Sequence, residues 1–160
     1  MPIVNIHERM IDAPVAQVST LLDRLASADD MLWPRDRWPR MKFDRPLSVG
    51  AVGGHGPIHY AVESYQPGQR IQFRFTAPKG FLGCHRFEIE PIGAERSKLR
   101  HVIEMQTVGW ARVTWQIVIR PLHNALLEDA LDRAEFNCGK QPKQRNWSLW
   151  VKFLRCMMRR

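Results

Sequence analysis

Apolar positions change their spacing along the chain, and each spacing predicts a different kind of element. An alternating stretch over residues 4–11 predicts a first strand. The apolar residues between Val15 and Leu25 recur at intervals of three and four, which predicts a helix. Asp12 is the expected N-cap of this helix, and Pro14 lies near its first position.

The residues after this helix carry weaker signals. A second short helical piece is expected over residues 27–32. Pro34 and Pro39 interrupt the next segment, so residues 33–40 are predicted to form a loop. This loop interleaves tryptophans with cations, as single-strand nucleic-acid binders do, but Asp36 and the prolines dilute that pattern.

From residue 41 to 108 the apolar positions alternate, which is typical of strands with one buried face. The glycines from Gly50 to Gly56 indicate a bend or a bulged hairpin. The predicted strands cover residues 43–47, 58–65, 70–76, 82–90 and 98–107.

The register of the last two strands follows from their charges. A turn centred near Ala94 places Glu90 opposite Lys98 and Glu88 opposite Arg100, so two opposite-charge pairs share the outer face. A slip by one residue would bury these charges. The inner face then carries His85, Phe87, Ile89, Leu99, His101, Ile103 and Met105. The preceding hairpin is expected to bury Tyr60, Val62, Ile71, Phe73 and Phe75.

Beyond Gly109 the spacing is helical again. Pro121 should kink this helix or split it in two, and Gly139 is the expected C-cap. One stripe of the helix carries Val113, Ile117, Arg120, Asn124, Leu127, Leu131 and Ala134.

The net charge of +8 comes from 24 Lys and Arg against 16 Asp and Glu. Residues 137–160 hold seven of these bases and no acid, so the preceding part of the chain is nearly neutral. A basic protein suggests nucleic acid as a partner. A nearly neutral domain does not, and no nucleic-acid partner is expected.

Residues 147–160 predict a basic amphipathic helix. Its apolar face carries Trp147, Trp150, Val151, Leu154, Met157 and Met158, and is widened by Leu149, Phe153 and Cys156. Its polar stripe carries Ser148, Lys152, Arg155 and Arg159. Three alternatives remain for this tail: peripheral contact with an anionic membrane, docking on its own domain or on another subunit, and disorder.

Three scattered cysteines, Cys84, Cys138 and Cys156, argue against a disulfide framework. The sequence lacks a signal-peptide pattern at its start, and no apolar run approaches the ~20 residues of a membrane-spanning helix. The cytoplasm is therefore the expected location, with membrane association through the tail as a further expectation.

The order of elements is a strand, two short helices, a run of antiparallel strands and a long C-terminal helix, which predicts an α+β fold. This order resembles the helix-grip fold of the START/Bet v 1-like (SRPBCC, polyketide cyclase/dehydrase-like) superfamily. The segments that carry the resemblance are Asp12-Ala-Pro-Val-Ala-Gln-Val, Tyr65-Gln-Pro-Gly-Gln-Arg-Ile-Gln-Phe-Arg-Phe, Phe81-Leu-Gly-Cys-His-Arg-Phe-Glu-Ile and Leu99-Arg-His-Val-Ile-Glu. It covers residues 1–136 and leaves 137–160 as a basic amphipathic C-terminal extension.

The resemblance implies a curved antiparallel sheet wrapped around the C-terminal helix, with a ligand cavity between them. The inner-face pattern puts Tyr60, His85 and His101 among the polar groups of that cavity. A histidine pair on adjacent strands can act as general acid and base, so these three residues are the catalytic candidates. The alternatives are that the histidines contact a ligand, or that they are core residues bonded to backbone carbonyls or to Tyr60.

The expected ligand-binding set is Tyr60, Phe73, Phe75, His85, Phe87, His101, Ile103, Met105 and Trp115. Arg112, Gln116 and His123 are further candidates from the helix, and the tryptophans of the 33–40 loop are expected to cover the cavity entrance.

No metal and no cofactor are expected. His55 and His59 have a four-residue spacing, but Gly56 and Pro57 forbid the helix on which that spacing converges. Neighbours such as Cys84 and His85 face opposite sides of a strand. Nucleophile-elbow and phosphate-loop motifs are absent from the sequence.

These observations favour a protein that binds a hydrophobic or aromatic small molecule or lipid over an enzyme. The alternatives are a cyclase/dehydrase-like enzyme that uses the cavity histidines, and a lipid-handling protein recruited to membranes by its tail.

Overall fold

A seven-stranded antiparallel sheet forms the centre of the computed structural model, which describes residues 1–142 and 145–158. The strands are β1 (Pro2–Ile11), β2 (Lys42–Phe43), β3 (Val52–His55), β4 (Ile58–Gln66), β5 (Arg70–Ala77), β6 (Phe81–Gly93) and β7 (Arg96–Thr107). Their order across the sheet is β1-β7-β6-β5-β4-β3-β2, so the first strand lies beside the last.

The helices cover the inner face of this sheet. They are α1 (Val15–Asp23), α2 (Ala111–Thr114), α3 (Arg120–Asn137) and α4 (Leu149–Met158), and a π-helical turn (Trp115–Ile119) joins α2 to α3. A curved antiparallel sheet with a long C-terminal helix is the predicted helix-grip arrangement. None of the described helices is long and apolar enough to cross a membrane.

The predicted register of the β6–β7 hairpin is confirmed. Glu90 pairs with Lys98, Glu88 with Arg100, and Phe87 with His101. The inner-face residues of the two central hairpins are buried, apart from Phe75 and Ile89, which are half-buried. Alternation and charge pairing therefore set the register together.

Two expectations about the first helical region are wrong. Asp12 does not cap α1: its carboxylate accepts a hydrogen bond from Arg96 Nε at 2.9 Å, and Pro14 occupies the cap position. Residues 27–32 form turns rather than a helix. The buried carboxylate of Asp30 accepts bonds from the backbone N–H groups of Leu32 and Trp33 at 2.9 and 2.8 Å, so the local side chain replaces helical bonding there.

The predicted strand over 43–47 is shorter than expected. Only Lys42 and Phe43 pair with β3. The Asp44 carboxylate then accepts a hydrogen bond from the Val52 backbone N–H at 2.9 Å, and Pro46 follows without an N–H of its own.

The expected split at Pro121 is not observed: the helical stretch runs without a break from Ala111 to Asn137, and the π-helical turn ends two residues before Pro121. A π turn holds extra residues, so it rotates the faces of the helix that precedes it. Val113 and Ile117 are consequently exposed, although the predicted stripe groups them with buried Leu127 and Leu131. Gly139, at φ +84°, follows the helix end as predicted.

A polar seam lies where the inner face of β1 meets α3. We call it the β1–α3 seam; it consists of Asn5, His7, Arg9, Asn124, Glu128, Asp132 and Glu135. His7 Nδ1 lies 2.9 Å from Glu128 Oε1, and Arg9 Nη1 donates to Asp132 Oδ1 at 2.7 Å. Arg9 also pairs with Glu128 and Glu135. The acids of α3 are thus matched by bases on the first strand.

The tail docks on its own domain through α4. Val151 and Leu154 are buried, and the indole N–H of Trp150 donates to the Ile117 carbonyl at 2.7 Å. Pro121 has no N–H for that carbonyl, so Trp150 replaces a helical hydrogen bond. The predicted polar stripe is wrong at Arg155, which is buried. Lys143, Arg159 and Arg160 lie outside the described residues.

Candidate ligand cavity

A cavity of about 110 Å³ lies between the inner face of the sheet and the C-terminal helical stretch. Its lining is almost entirely apolar and aromatic. The lining residues from the strands and the β3–β4 turn are His55, Gly56, Pro57, Ile58, Phe75, Phe81, His85, Phe87, His101 and Ile103. Those from the helices and from the 33–40 loop are Trp33, Trp38, Pro39, Trp115, Val118, Ile119, Leu122, His123, Leu126, Leu127, Arg155 and Met158.

Two buried histidines form the polar centre of this cavity. His85 on β6 is 4% exposed and His101 on β7 is 2% exposed. Phe87 stands opposite His101, so His85 is a diagonal neighbour on the same face. His85 Nδ1 and His101 Nε2 are joined by a hydrogen bond of 3.1 Å. The predicted proximity of the two rings is confirmed.

The outer nitrogens of the pair, His85 Nε2 and His101 Nδ1, have no hydrogen-bond partner among the described residues. In a neutral imidazole one nitrogen carries a proton and the other accepts. Whichever ring donates within the pair, one outer nitrogen must be a donor and the other an acceptor. The pair therefore presents complementary hydrogen-bonding groups, and the two exchange roles when the internal bond reverses.

The pair is electrically neutral at pH 7. Burial lowers the pKa of both His85 and His101 well below the usual value of a histidine, and nearby histidines lower it further. On the helix, burial lowers the pKa of His123 to about 3. Protonation of any one ring would place a charge among apolar walls beside other imidazoles.

Aromatic rings hold His85 in place. Its ring stacks on Phe73 and Phe75 with centroid distances of 4.8 and 4.9 Å, and the Tyr60 ring meets it edge-on at 4.7 Å. The Tyr60 hydroxyl lies 3.0 Å from His55 Nδ1, and burial raises the pKa of Tyr60 well above its usual value. Tyr60 is thus committed to His55 rather than to the histidine pair.

Six residues of the expected ligand-binding set line the cavity: Phe75, His85, Phe87, His101, Ile103 and Trp115. Tyr60, Phe73 and Met105 do not, which corrects the expected lining at those positions. Tyr60 and Phe73 stand behind the His85 ring, and Met105 packs in a second apolar cluster with Ile3 and Phe81. An inner-face position is necessary for lining the cavity but does not suffice, because a neighbouring ring can cover it.

Of the three further ligand-binding candidates expected from the helix, one lines the cavity and two do not. His123 lines the cavity, whereas Arg112 and Gln116 are exposed, since the π turn rotates this part of the helix. The tryptophans of the 33–40 loop, Trp33 and Trp38, are buried in the cavity wall.

Two further groups of the cavity wall were not expected from the sequence. His55 and Ile58 reach the cavity through the β3–β4 turn, whose shape depends on Gly54 and Gly56 in the left-handed region. Arg155 and Met158 reach it from α4. Two of these four had a sequence signal: Ile58 alternates with Tyr60 and Val62, and Met158 lies on the apolar face of the tail.

A buried carboxylate, Asp129, ties the tail to the loop that walls the cavity. It accepts hydrogen bonds from Trp38 Nε1 at 2.7 Å, Trp147 Nε1 at 3.0 Å and Arg37 Nη1 at 3.0 Å. Burial raises the pKa of Asp129. The Arg155 guanidinium lies 4.7 Å from the centre of the Trp38 ring and donates to the Arg37 carbonyl at 2.7 Å. The cavity wall therefore includes the C-terminal extension.

Within residues 1–142 and 145–158, no three His, Cys, Asp or Glu side chains are grouped so that they could hold a metal ion. His59 is exposed and His55 is half-buried. The three cysteines are free thiols.

Solved structures with this architecture come from several organisms. A protein of Thermobifida fusca superposes with a TM-score of 0.65 at 13% identity over 89% of this chain and 99% of its own. Norcoclaurine synthase of Thalictrum flavum, in complex with dopamine and hydroxybenzaldehyde, has a TM-score of 0.64 at 13% identity over 85% and 86%. CalU16 of Micromonospora echinospora has a TM-score of 0.60 at 15% identity over 96% and 82%.

No protein-family model and no curated protein sequence matches the chain. At 13–15% identity the structural likeness concerns the fold and not the chemistry of the site. The strand order, the C-terminal helix and these superpositions agree with the resemblance found in the sequence, and the chain has the helix-grip, Bet v 1-like fold.

Proposed function

We propose that this protein binds a small uncharged molecule, about one aromatic ring in size, that carries a hydroxyl or a similar donor–acceptor group. The observation that carries the proposal is the His85–His101 pair, whose two outer nitrogens have no partner among the described residues, in a cavity with mostly apolar walls. A buried polar group without a partner costs roughly 1–3 kcal/mol, and a ligand that supplies the partner recovers this cost.

The size of the ligand follows from the size of the cavity. Its volume of about 110 Å³ is of the order of the ~150 Å³ engineered cavity known to admit benzene. It is well below the ~300–1,000 Å³ of drug-sized pockets. A single ring fits this space, and a long-chain lipid does not without movement of the wall.

The chemistry of the ligand follows from the neutral histidines. A hydroxyl both donates and accepts, so it can partner either outer nitrogen in either proton arrangement of the pair. The complex of norcoclaurine synthase with dopamine and hydroxybenzaldehyde offers a fold-level parallel for small aromatic ligands.

Calorimetric titration with phenol and with benzene tests this proposal. Phenol is expected to bind about tenfold more tightly than benzene, because only phenol supplies a hydrogen-bonding partner. In the double variant His85→Phe/His101→Phe this preference should disappear. Failure of phenol to bind, or an unchanged preference in the double variant, would overturn the proposal. Native mass spectrometry of protein from its own host would identify the physiological ligand.

An acid–base enzyme is the second candidate, because the two imidazoles lie within hydrogen-bond distance in one cavity. General acid–base catalysis works best with a pKa near the working pH. Burial lowers the pKa of both rings well below that range. Ligand binding is therefore the first candidate function and acid–base catalysis the second.

A further inference from the structure

An exposed apolar face extends over two neighbouring helical segments on the outside of the molecule. On α4, the arc opposite the buried residues exposes Leu149 at 84%, Phe153 at 54% and Met157 at 58%. The helical stretch that starts after β7 exposes Trp110 at 82% and Ile117 at 51%. We call this set, with Val113 and Trp150, the apolar face; its members are Trp110, Val113, Ile117, Leu149, Trp150, Phe153 and Met157.

Trp150 connects the two halves of the apolar face. Its indole N–H donates to the Ile117 carbonyl at 2.7 Å, and its ring stacks on Phe153 with centroids 5.5 Å apart. Trp110, Val113 and Ile117 follow at helical intervals of three and four, so they share one side of their stretch. Trp150 therefore joins the exposed apolar side chains of the two segments, and exposed apolar patches mark interaction surfaces.

The charges carried by the two segments that form this face have one sign. Residues 105–127 and 137–160 contain no Asp or Glu. Arg112, Arg120 and Lys152 are exposed beside the apolar residues, and none of the three has an ion pair with any described residue. The acids of α3 begin at Glu128; three of them belong to the β1–α3 seam, and Asp129 is buried against Arg37, Trp38 and Trp147.

We propose that the apolar face docks on the surface of an anionic lipid bilayer. Helices that lie in the membrane interface combine a broad apolar arc, tryptophans and flanking cations, and this face has all three. Anionic headgroups would supply ion-pair partners for Arg112, Arg120 and Lys152. This inference stands apart from the ligand proposed for the cavity.

Docking there would bring lipid against the wall of the cavity. Arg155 and Met158 line the cavity from α4, while Leu149 and Phe153 of the same helix form part of the apolar face. Likewise, Val118 and Ile119 line the cavity while Ile117 is exposed. On each of these two segments, the side chains that line the cavity and the side chains that face the proposed membrane lie on different sides of the same helical turn.

Co-sedimentation of the full chain with vesicles tests the proposal. Vesicles of phosphatidylcholine alone are compared with vesicles in which a third of the lipid is phosphatidylglycerol. The protein is expected to pellet with the anionic vesicles. Replacing Arg112, Arg120 and Lys152 by Gln should weaken this binding on the order of a hundredfold, since each base near an anionic surface contributes roughly fivefold.

The apolar contribution is tested with Leu149→Gln/Phe153→Gln, which leaves the Trp150 hydrogen bond in place and keeps good helix formers on α4. Binding is expected to fall at least tenfold. The matched control is Val4→Thr/Leu82→Thr, because both residues are exposed apolar positions on the sheet, at 67% and 56%. Unchanged far-UV circular dichroism would show that each variant is folded.

Three results would overturn the proposal. One is equal pelleting with both kinds of vesicle. Another is an equal loss of binding in the sheet control. The third is a concentration-dependent dimer in analytical ultracentrifugation that Leu149→Gln/Phe153→Gln abolishes, which would assign the face to a second copy of the chain.

Discussion

His7 and His101 stand directly opposite each other in the β1–β7 register, yet their surroundings differ completely. His7 lies in the β1–α3 seam, with Asn124 and Glu128 on its two ring nitrogens at 3.1 and 2.9 Å. His101 lies in the cavity wall, with His85 on one nitrogen and nothing on the other among the described residues. On neighbouring strands, His7 therefore has a hydrogen-bonding contact at both ring nitrogens, whereas His101 has one at a single ring nitrogen.

The difference distinguishes structural polarity from polarity available to a ligand. In the β1–α3 seam, bases and acids meet across a half-buried boundary and satisfy each other. In the cavity, the same sheet face carries polar groups that no described side chain or backbone group satisfies. Buried polar groups in folded proteins almost always have partners, so the exceptions indicate where a ligand or ordered water belongs.

The largest expected effect concerns acid pH. An unfolded histidine titrates near pH 6.5, whereas the pKa of His85 and of His101 is lowered by burial. Below about pH 6.5 the unfolded chain takes up protons that the folded chain refuses, so stability is lost as the pH falls. From pH 7 to 5 the pair is expected to remove up to about 4 kcal/mol from the free energy of unfolding, at most roughly 2 from each ring.

Urea denaturation at several pH values measures this loss. The double variant His85→Phe/His101→Phe should reduce the dependence on pH by about half, with His55 and His123 accounting for much of the rest. Exposed His59 provides the control, since His59→Gln should leave the pH dependence as it is in the natural sequence. An equal slope in all three proteins would contradict the assignment.

The second effect is the cost of opening the β1–α3 seam. Arg9 pairs with Glu128, Asp132 and Glu135, and its side chain is only 13% exposed. Arg9→Met leaves three half-buried carboxylates without their shared base, and we expect a loss of about 2–3 kcal/mol in the free energy of unfolding at pH 7. Arg74→Met removes an exposed pair with Glu63 and should cost under about 1 kcal/mol. If Arg9→Met and Arg74→Met lost similar stability, the half-buried ion pairs of the β1–α3 seam would be no stronger than an exposed pair.

The sequence predicted the strands of this structure better than its helices. Alternation and two charge pairs were enough to place His85 next to His101, because a strand allows only two faces and a slip would bury charge. The helix-grip arrangement followed from the order of the elements. Periodicity failed after Gly109, because the π turn before Pro121 changes the residues per turn and exposes Val113 and Ile117.

The remaining parts of the site depend on contacts distant in sequence. The helical period of the tail assigned Arg155 to a solvated stripe, since no local pattern reveals its contacts with Trp38 and the Arg37 carbonyl. The polar partners of β1 were equally hidden, because Arg9 and the acids of α3 are more than a hundred residues apart. Helical and strand periods identify a face but not the element that covers it.

The third prediction compares the two opposing histidines directly. At pH 8, His7→Phe removes one hydrogen-bond partner from each of Asn124 and Glu128, and about 1.5–2 kcal/mol of stability should be lost. Replacing both members of the cavity pair by Phe removes a buried polar contact together with its unpartnered nitrogens. Such a change is expected to be neutral or stabilising. Equal destabilisation by both variants in urea titrations would mean that the cavity pair is an ordinary core contact.

The smallest effect concerns the outer face of the same sheet, where Lys98 Nζ lies 3.3 Å from Glu90. The Glu90 side chain is half exposed, so water and salt screen the pair. A double-mutant cycle with Glu90→Ala and Lys98→Ala should give a coupling of under about 0.5 kcal/mol. A coupling above about 1.5 kcal/mol would show that exposed charges hold this sheet as strongly as buried ones. A small value leaves the pair with the role the sequence indicates: it opposes a slipped register in which these charges would face the hydrophobic core.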